Sequence, residues 1–398
     1  MDKMAQTVQK QALMQTYSRT PVKFVKGKGS YVWDENGEKY LDFTSGIAVC
    51  NLGHVPEKVK NKVAGQLDRI WHTSNLFEIG PQEELAEKLA ALSAFDRVFF
   101  ANSGAEANEA AIKLARLDAK KRGKSGPIVT FKHSFHGRTL GTLSATAQEK
   151  IQHGFEPLVP GFIYLPFNDI AALRDLAKIK PIAVMFELIQ GEGGVIPAEQ
   201  EWVDALVRAC RENDCAIIVD EVQTGMGRTG TLFAYEQYGF EPDIMTLAKG
   251  LGSGIPIGAM LAKEKIAQSF TPGTHGSTFG GNPLSATAGL ATLETFAEED
   301  IIEHVQKQSI DFWAKLEELK AQFPFIKEIR GKGLMAGLET EMEAATITRV
   351  ALTEHLLVLT AGPHVVRLLP PLVITEKETA LFAQKMQTVF AKANQNDL

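Results

Sequence analysis

Between residues 97 and 248 the sequence repeats one pattern, a short continuous apolar run followed by a stretch with helical spacing. The runs are RVFFA (97–101), PIVTF (127–131), IAVMFE (182–187), AIIVDE (216–221) and DIMTLA (243–248). Helical patterns such as EELAEKLAAL (83–92) and EWVDALVRACREN (201–213) accompany them. A strand without polar alternation is buried on both faces, so these runs predict a mostly parallel sheet flanked by helices, an α/β fold. Residues 22–43 alternate apolar and polar positions and read as an antiparallel meander. Gly27–Gly29 breaks it, and Asn36-Gly37 signals a type I′ turn. From about 291 the chain turns to amphipathic helices and strand-like runs such as VVRLLPPLVI (365–374), a smaller α+β unit. The expected division is 1–55, an N-terminal segment with the meander; 56–290, the large domain; and 291–398, the small C-terminal domain.

The 398 residues include 44% hydrophobic and 23% charged side chains, enough to build a large core. A net charge of -6 argues against nucleic acid or an anionic membrane as the main partner. Cys50, Cys210 and Cys215 form no C-x-x-C pair, which suits a reducing compartment. The first twenty residues lack the apolar stretch of a signal peptide, and no stretch approaches the roughly 18–20 apolar residues of a membrane helix. A cytoplasmic location is the expectation.

Parallel sheets of this kind bind ligands at the carboxyl ends of their strands, where Glu187, Asp220 and Lys249 stand. Asp220 is either a cap or a carboxylate paired with a cationic ring nitrogen, since an unpaired buried acid would neutralise itself. Lys249, in AKGLGSG, is either a surface charge or a desolvated amine whose lowered pKa makes it a nucleophile. Ser103 and Glu106 form a capping box; the same helix start points free N–H groups toward an anion, with Gly104 and Ala105 in its first turn. Phe135 is core or a flat surface for a planar ligand, and Arg138 a surface ion or a clamp for a carboxylate. His133 and His136 have metal-ligand spacing, but no further cluster supports them, and no metal site is expected. Arg367 interrupts an apolar strand and needs a partner or a cavity, with Glu187 and Glu192 as candidate partners. The loop His275–Pro283 is either an ordinary turn-rich loop or a set of hydroxyls for phosphate or substrate.

Six segments stand in one order: NSGAEANEAAIKLAR, FHGRT, ELIQGEGG, IIVDEVQTGMGRTG, DIMTLAKGLGSGIPIGA and HGSTFGGNP. Together they resemble the class III (ornithine-type) aminotransferases of pyridoxal-phosphate fold type I, from Tyr17 to the 365–374 run. The resemblance implies a large domain with a mostly parallel sheet and a smaller domain built from the C-terminal part and the N-terminal segment. It implies pyridoxal 5'-phosphate held as a Schiff base on Lys249, with Asp220 on the pyridine nitrogen and Phe135 and Val222 either side of the ring. Gln223 would bond the phenolic oxygen. Ser103, Gly104 and Ala105 would hold the phosphate, with Thr278 arriving from a second subunit of a homodimer. Arg138 would serve distal carboxylates and Arg367 the α-carboxylate of glutamate, with Glu192 as its exchangeable partner. Glu187, Tyr17 and Ser277 match further catalytic or substrate positions.

The segments SGIAVCNLGH (45–54) and FHGRTLG are most similar to members that use N2-acetylornithine and 2-oxoglutarate in arginine biosynthesis by ping-pong transfer. Cys50 departs from the asparagine often found in that segment. Sister aminotransferases for succinylornithine, succinyldiaminopimelate, ornithine or 4-aminobutyrate are the nearest alternatives. An aminomutase or racemase of the same fold needs no keto-acid acceptor and would not need both Arg138 and Arg367. A non-catalytic binder would not need Lys249 and Asp220.

Overall fold

The computed structural model describes residues 12–396. Strands β1 (Phe24–Lys28), β2 (Tyr31–Asp34) and β3 (Lys39–Asp42) form the antiparallel meander. Its second turn is not type I′. Only Gly37 has a positive φ (86°), and its N–H bonds the Asp34 carbonyl at 3.1 Å. The Asp34 carboxylate accepts the N–H groups of Asn36 and Glu38, both at 2.9 Å, and so holds Asn36 out of the left-handed conformation that type I′ requires.

The large sheet has seven strands. In chain order they are β4 (Arg97–Ala101), β5 (Ile128–Phe131), β6 (Phe162–Leu165), β7 (Ala183–Phe186), β8 (Ala216–Asp220), β9 (Ile244–Leu247) and β10 (Gly258–Ala262). Their spatial order is β4-β10-β9-β8-β7-β5-β6. All neighbouring pairs from β6 through β9 are parallel, and β10 runs antiparallel to both β9 and β4. The sequence reading did not single out β10, whose GAMLA is short and rich in small residues.

Helix α1 (Gly104–Lys121) packs on one face of this sheet. Its buried side is rich in alanine (Ala107, Ala110, Ala111, Ala115, Ala119), and it packs with Ile218, Ile244 and Met260. On the other face, Trp202 of helix α2 (Gln200–Glu212) meets Phe131 edge-on, ring centroids 4.9 Å apart. Burying such aromatic side chains contributes on the order of 1.5–3 kcal/mol each.

Beyond residue 325 lies an antiparallel sheet of β11 (Ile326–Lys332), β12 (Met335–Thr340), β14 (Leu359–Thr360) and β15 (Val365–Leu368), in the order β11-β12-β15-β14. The strand β13 (Leu356–Leu357) instead joins the N-terminal meander, parallel to β3. Phe43 stacks on Phe382 of the final helix at 4.1 Å, so the two ends of the chain share one core. The strand carrying Arg367 ends at Leu368, short of the expected 374, because Pro370 and Pro371 cannot donate to a ladder. No helix of the described residues is long and apolar enough to cross a membrane.

Candidate active site

The carboxyl ends of β4, β5, β7, β8 and β9 open on one cavity of about 440 Å³. Lys249 enters it two residues beyond β9. The chain turns sharply there: Lys249 holds a left-handed φ of 42° and starts a single 3-10 turn to Leu251. Such a conformation costs a non-glycine residue about 1 kcal/mol and persists because the surroundings fix it. Burial pulls the Lys249 amine down to about 8, against the opposing pull of the Glu192 carboxylate; the Arg367 cation lowers it further. Close to neutrality about a tenth of this amine is therefore unprotonated, far more than of an ordinary lysine.

Asp220, the last residue of β8, is buried. One carboxylate oxygen accepts Asn108 Nδ2 and His136 Nδ1, each at 2.8 Å; the other accepts the Val222 N–H at 3.0 Å. Asn108 is fixed in turn by Thr246 Oγ1, which donates to its amide oxygen at 2.6 Å. Three donors thus fix the orientation of this carboxylate in the cavity. Sequence reasoning missed Asn108 and His136. Both lie inside the quoted motifs, but only the fold brings them to position 220. His136 is thereby a carboxylate partner, and its Nε2 is buried without a partner of its own.

At the start of α1, Ser103 Oγ accepts the Glu106 N–H at 3.2 Å. The reciprocal half of the capping box is displaced by one residue: Glu106 accepts the N–H and amide of Asn102, at 2.6 and 2.8 Å, rather than the Ser103 N–H. Ser103, Gly104 and Ala105 line the cavity with the first turn of the helix, where N–H groups and dipole favour an anion. A side chain at 104 is excluded, since a Cβ there would stand 2.8 Å from Val222 Cγ1.

Phe135 and Val222 also line the cavity, and the Arg138 guanidinium sits at its mouth, 5.6 Å from the Phe135 ring centroid. Glu187 accepts the Phe135 N–H at 2.9 Å. Burial raises its carboxyl to about 7, with His136 opposing and Asp220 adding to the rise.

Arg367 is only 2% exposed. Its Nη1 donates to Glu192 at 2.5 Å, the Gly191 carbonyl at 3.0 Å and Gln223 Oε1 at 3.1 Å, while Nε has no partner. Burial alone would raise the Glu192 carboxyl; the charge and hydrogen bond of Arg367 outweigh it and hold it below its ordinary value. Gln223 thus spends its carbonyl on Arg367 while still lining the cavity.

Five expected site residues do not line this cavity: Arg367 and Glu192 stand behind Gln223, which does, and the others are Tyr17, Ser277 and Thr278. Tyr17 is 71% exposed. Ser277 Oγ is engaged by Asn102 Nδ2 at 3.3 Å and the Gly280 N–H at 2.9 Å. Thr278 is exposed on the same loop. Within a single chain neither loop residue lines the cavity that holds Lys249.

Pyridoxal phosphate, implied by the motifs, fits the residues present. An amine, a fixed carboxylate, two apolar walls and a helix start that excludes side chains match its aldehyde, ring nitrogen, flat ring and phosphate. Attachment of the aldehyde needs the neutral amine. Cofactor uptake by the apo-protein, followed by visible absorption, is therefore expected to accelerate as pH rises through about 8. A midpoint near the ordinary lysine value would contradict this burial effect.

Comparison with known proteins agrees with this geometry. The family description "Aminotransferase class-III" matches residues 13–390. A curated acetylornithine aminotransferase of Oceanobacillus iheyensis is 52% identical over 380 residues, 95% of each chain. The solved N-acetylornithine aminotransferase of Stenotrophomonas maltophilia superposes with a TM-score of 0.83 at 38% identity, covering 94% of this chain and 97% of that one. A solved ornithine aminotransferase of Toxoplasma gondii, described with PLP at partial occupancy in its active site, gives 0.91 at 31% identity, with 97% and 93% covered. The chain belongs to the class III aminotransferases.

Proposed function

We propose that this enzyme moves the δ-amino group of N2-acetyl-L-ornithine to 2-oxoglutarate, giving N-acetylglutamate 5-semialdehyde and L-glutamate, a step of arginine biosynthesis. The observation that carries the reading is one cavity shared by Lys249 and Asp220, whose wall residue Gln223 contacts the Arg367–Glu192 pair. The 52% identity to an acetylornithine aminotransferase supports the donor.

Bound pyridoxal phosphate supplies an electron-withdrawing ring that stabilises the charge left when a proton leaves the substrate carbon. Asp220, held by Asn108 and His136, would keep the ring nitrogen protonated. With the cofactor bound, Lys249 Nζ would take the proton from the δ-carbon of the donor. It would later deliver one to the α-carbon of the acceptor. Donor and acceptor use the same cavity in turn, so the kinetics are ping-pong.

The two substrates differ in where their carboxylates lie. Each has one far from the reacting carbon, within the reach assigned to Arg138. Only 2-oxoglutarate has one beside it, which Arg367 binds once Glu192 swings away. With N-acetylornithine bound, Glu192 stays on Arg367 and spares the enzyme an unpaired buried cation, a cost of about 3–5 kcal/mol.

The same reading makes the enzyme a homodimer in the cytoplasm. Trp71, Leu76, Phe77 and Phe279 are exposed, and Asn75 Nδ2 ties the first segment to the second through the Ser277 and Gly280 carbonyls at 2.9 and 3.1 Å. An apolar surface of this kind suits a second copy, placing Thr278 over the partner's phosphate end. The three free cysteines suit a reducing compartment. Sedimentation at the 43.5 kDa of one chain would contradict the pairing.

The test of the donor is a panel of N-acetylornithine, N-succinylornithine, ornithine and 4-aminobutyrate with 2-oxoglutarate. The highest kcat/KM is expected for N-acetylornithine, with L-glutamate formed one for one. A higher value for another amine would reassign the donor, and absence of L-glutamate would end the reading.

A further inference from the structure

Arg228 is a buried cation that the chemistry above does not use. It is 2% exposed, and no carboxylate pairs with it among the described residues. Burial pulls its guanidinium down to about 9, which still leaves it charged at neutral pH. Its Nη1 donates to two backbone carbonyls, Leu334 at 2.9 Å and Pro370 at 2.5 Å, and its Nη2 is buried without an acceptor. A buried charge held only by neutral carbonyls is costly, so these contacts need a reason beyond stability.

The two carbonyls have particular places in the fold. Leu334 immediately precedes β12, and Pro370 follows β15 by two residues. These strands are paired with Gly337 opposite Arg367. The Leu334 N–H returns a bond to the Arg228 carbonyl at 3.0 Å, so main chain and side chain grip the same corner. On the other side, Arg228 ends the segment that begins with Asp220 and includes Val222 and Gln223, and Gln223 accepts Arg367 Nη1. Nine residues thus connect the ring-facing carboxylate to the strand pair that carries the carboxylate-binding arginine.

We propose that Arg228 is a positioning residue for substrate α-carboxylates, fixing the strand of Arg367 against the segment of Asp220 and so setting the reach from Arg367 to Lys249. This rests on the role of Arg367 given above. It predicts selectivity between half-reactions. A donor with no carboxylate on its reacting carbon does not use that distance, whereas 2-oxoglutarate does. A displacement of about 1 Å at such a contact costs up to about 10²-fold.

The experiment compares single-turnover rates of each half-reaction in Arg228→Lys, Arg228→Met and Arg367→Ala holoenzymes. In Arg228→Lys the cation remains but the planar fork does not, and KM for 2-oxoglutarate is expected to rise about 10-fold with the N-acetylornithine half within about 2-fold. Arg228→Met is expected to show the same selectivity, enlarged to about 10²-fold. If Arg228→Met fails to retain cofactor, Arg228→Lys alone decides. Equal losses in both halves, or none in either, would overturn the proposal. Should Arg367→Ala itself depress both halves alike, the underlying role of Arg367 is wrong. Should Arg367→Ala be selective and Arg228→Lys not, only the present inference falls.

Discussion

Arg367→Ala is expected to leave the N-acetylornithine half-reaction within a few-fold of wild type and to reduce kcat/KM for 2-oxoglutarate by about 10²–10³-fold. The size follows from removing one member of a buried, charge-assisted contact, about 2–5 kcal/mol. The asymmetry follows from geometry. Arg367 is gripped by Glu192, Gly191 and Gln223 in the state described, and only a substrate with a carboxylate beside its reacting carbon can replace Glu192. Once the arginine is gone Glu192 has lost its counter-charge, and its carboxyl should rise from the depressed position it now holds. Rapid mixing of each substrate with holoenzyme, followed by cofactor absorbance, measures the two halves separately. Equal losses would discard the exchange of Glu192 for substrate.

Lys249→Ala is expected to reduce turnover by at least about 10³-fold, the scale of a lost general acid–base group. The cavity should survive the change. Asp220 keeps its bonds to Asn108, His136 and Val222, and the start of α1 is untouched. Cofactor should therefore still bind, without a covalent bond and with altered absorption. Turnover near the wild-type level in this variant would remove Lys249 from its role.

The strands and the places where they end could be read from the sequence because each is a continuous apolar run closed by a polar residue. That pattern placed Glu187, Asp220 and Lys249 at one edge of the sheet. What the runs did not carry was register and neighbour order. The antiparallel β10 was missed because GAMLA lacks the bulky β-branched signature of its neighbours. Asn108 and His136 were missed as partners of Asp220 for a related reason. They are 112 and 84 residues from it, and local patterning says nothing about contacts at such separations. The turn at Gly37 was misjudged because Asn-Gly is a strong hairpin signal, while the Asp34 carboxylate that overrides it lies two residues earlier. Gln223 was placed by its motif at the phenolic oxygen, a bond its amide NH2 would donate; what the motif did not carry is that its carbonyl accepts from Arg367. The motif resemblance supplied Ser277 as a site residue, and a single chain leaves it outside the cavity; Thr278 it assigned to the site of a second subunit.

The measurement that bears most directly on all of this is chemical trapping of the holoenzyme. A hydride donor reduces a carbon–nitrogen double bond between cofactor and lysine to a stable single bond, and peptide mass mapping then locates the added group. The account predicts one labelled residue, Lys249, with labelling lost in Lys249→Ala. Label on any other lysine, or none on a protein that has taken up cofactor, would contradict it.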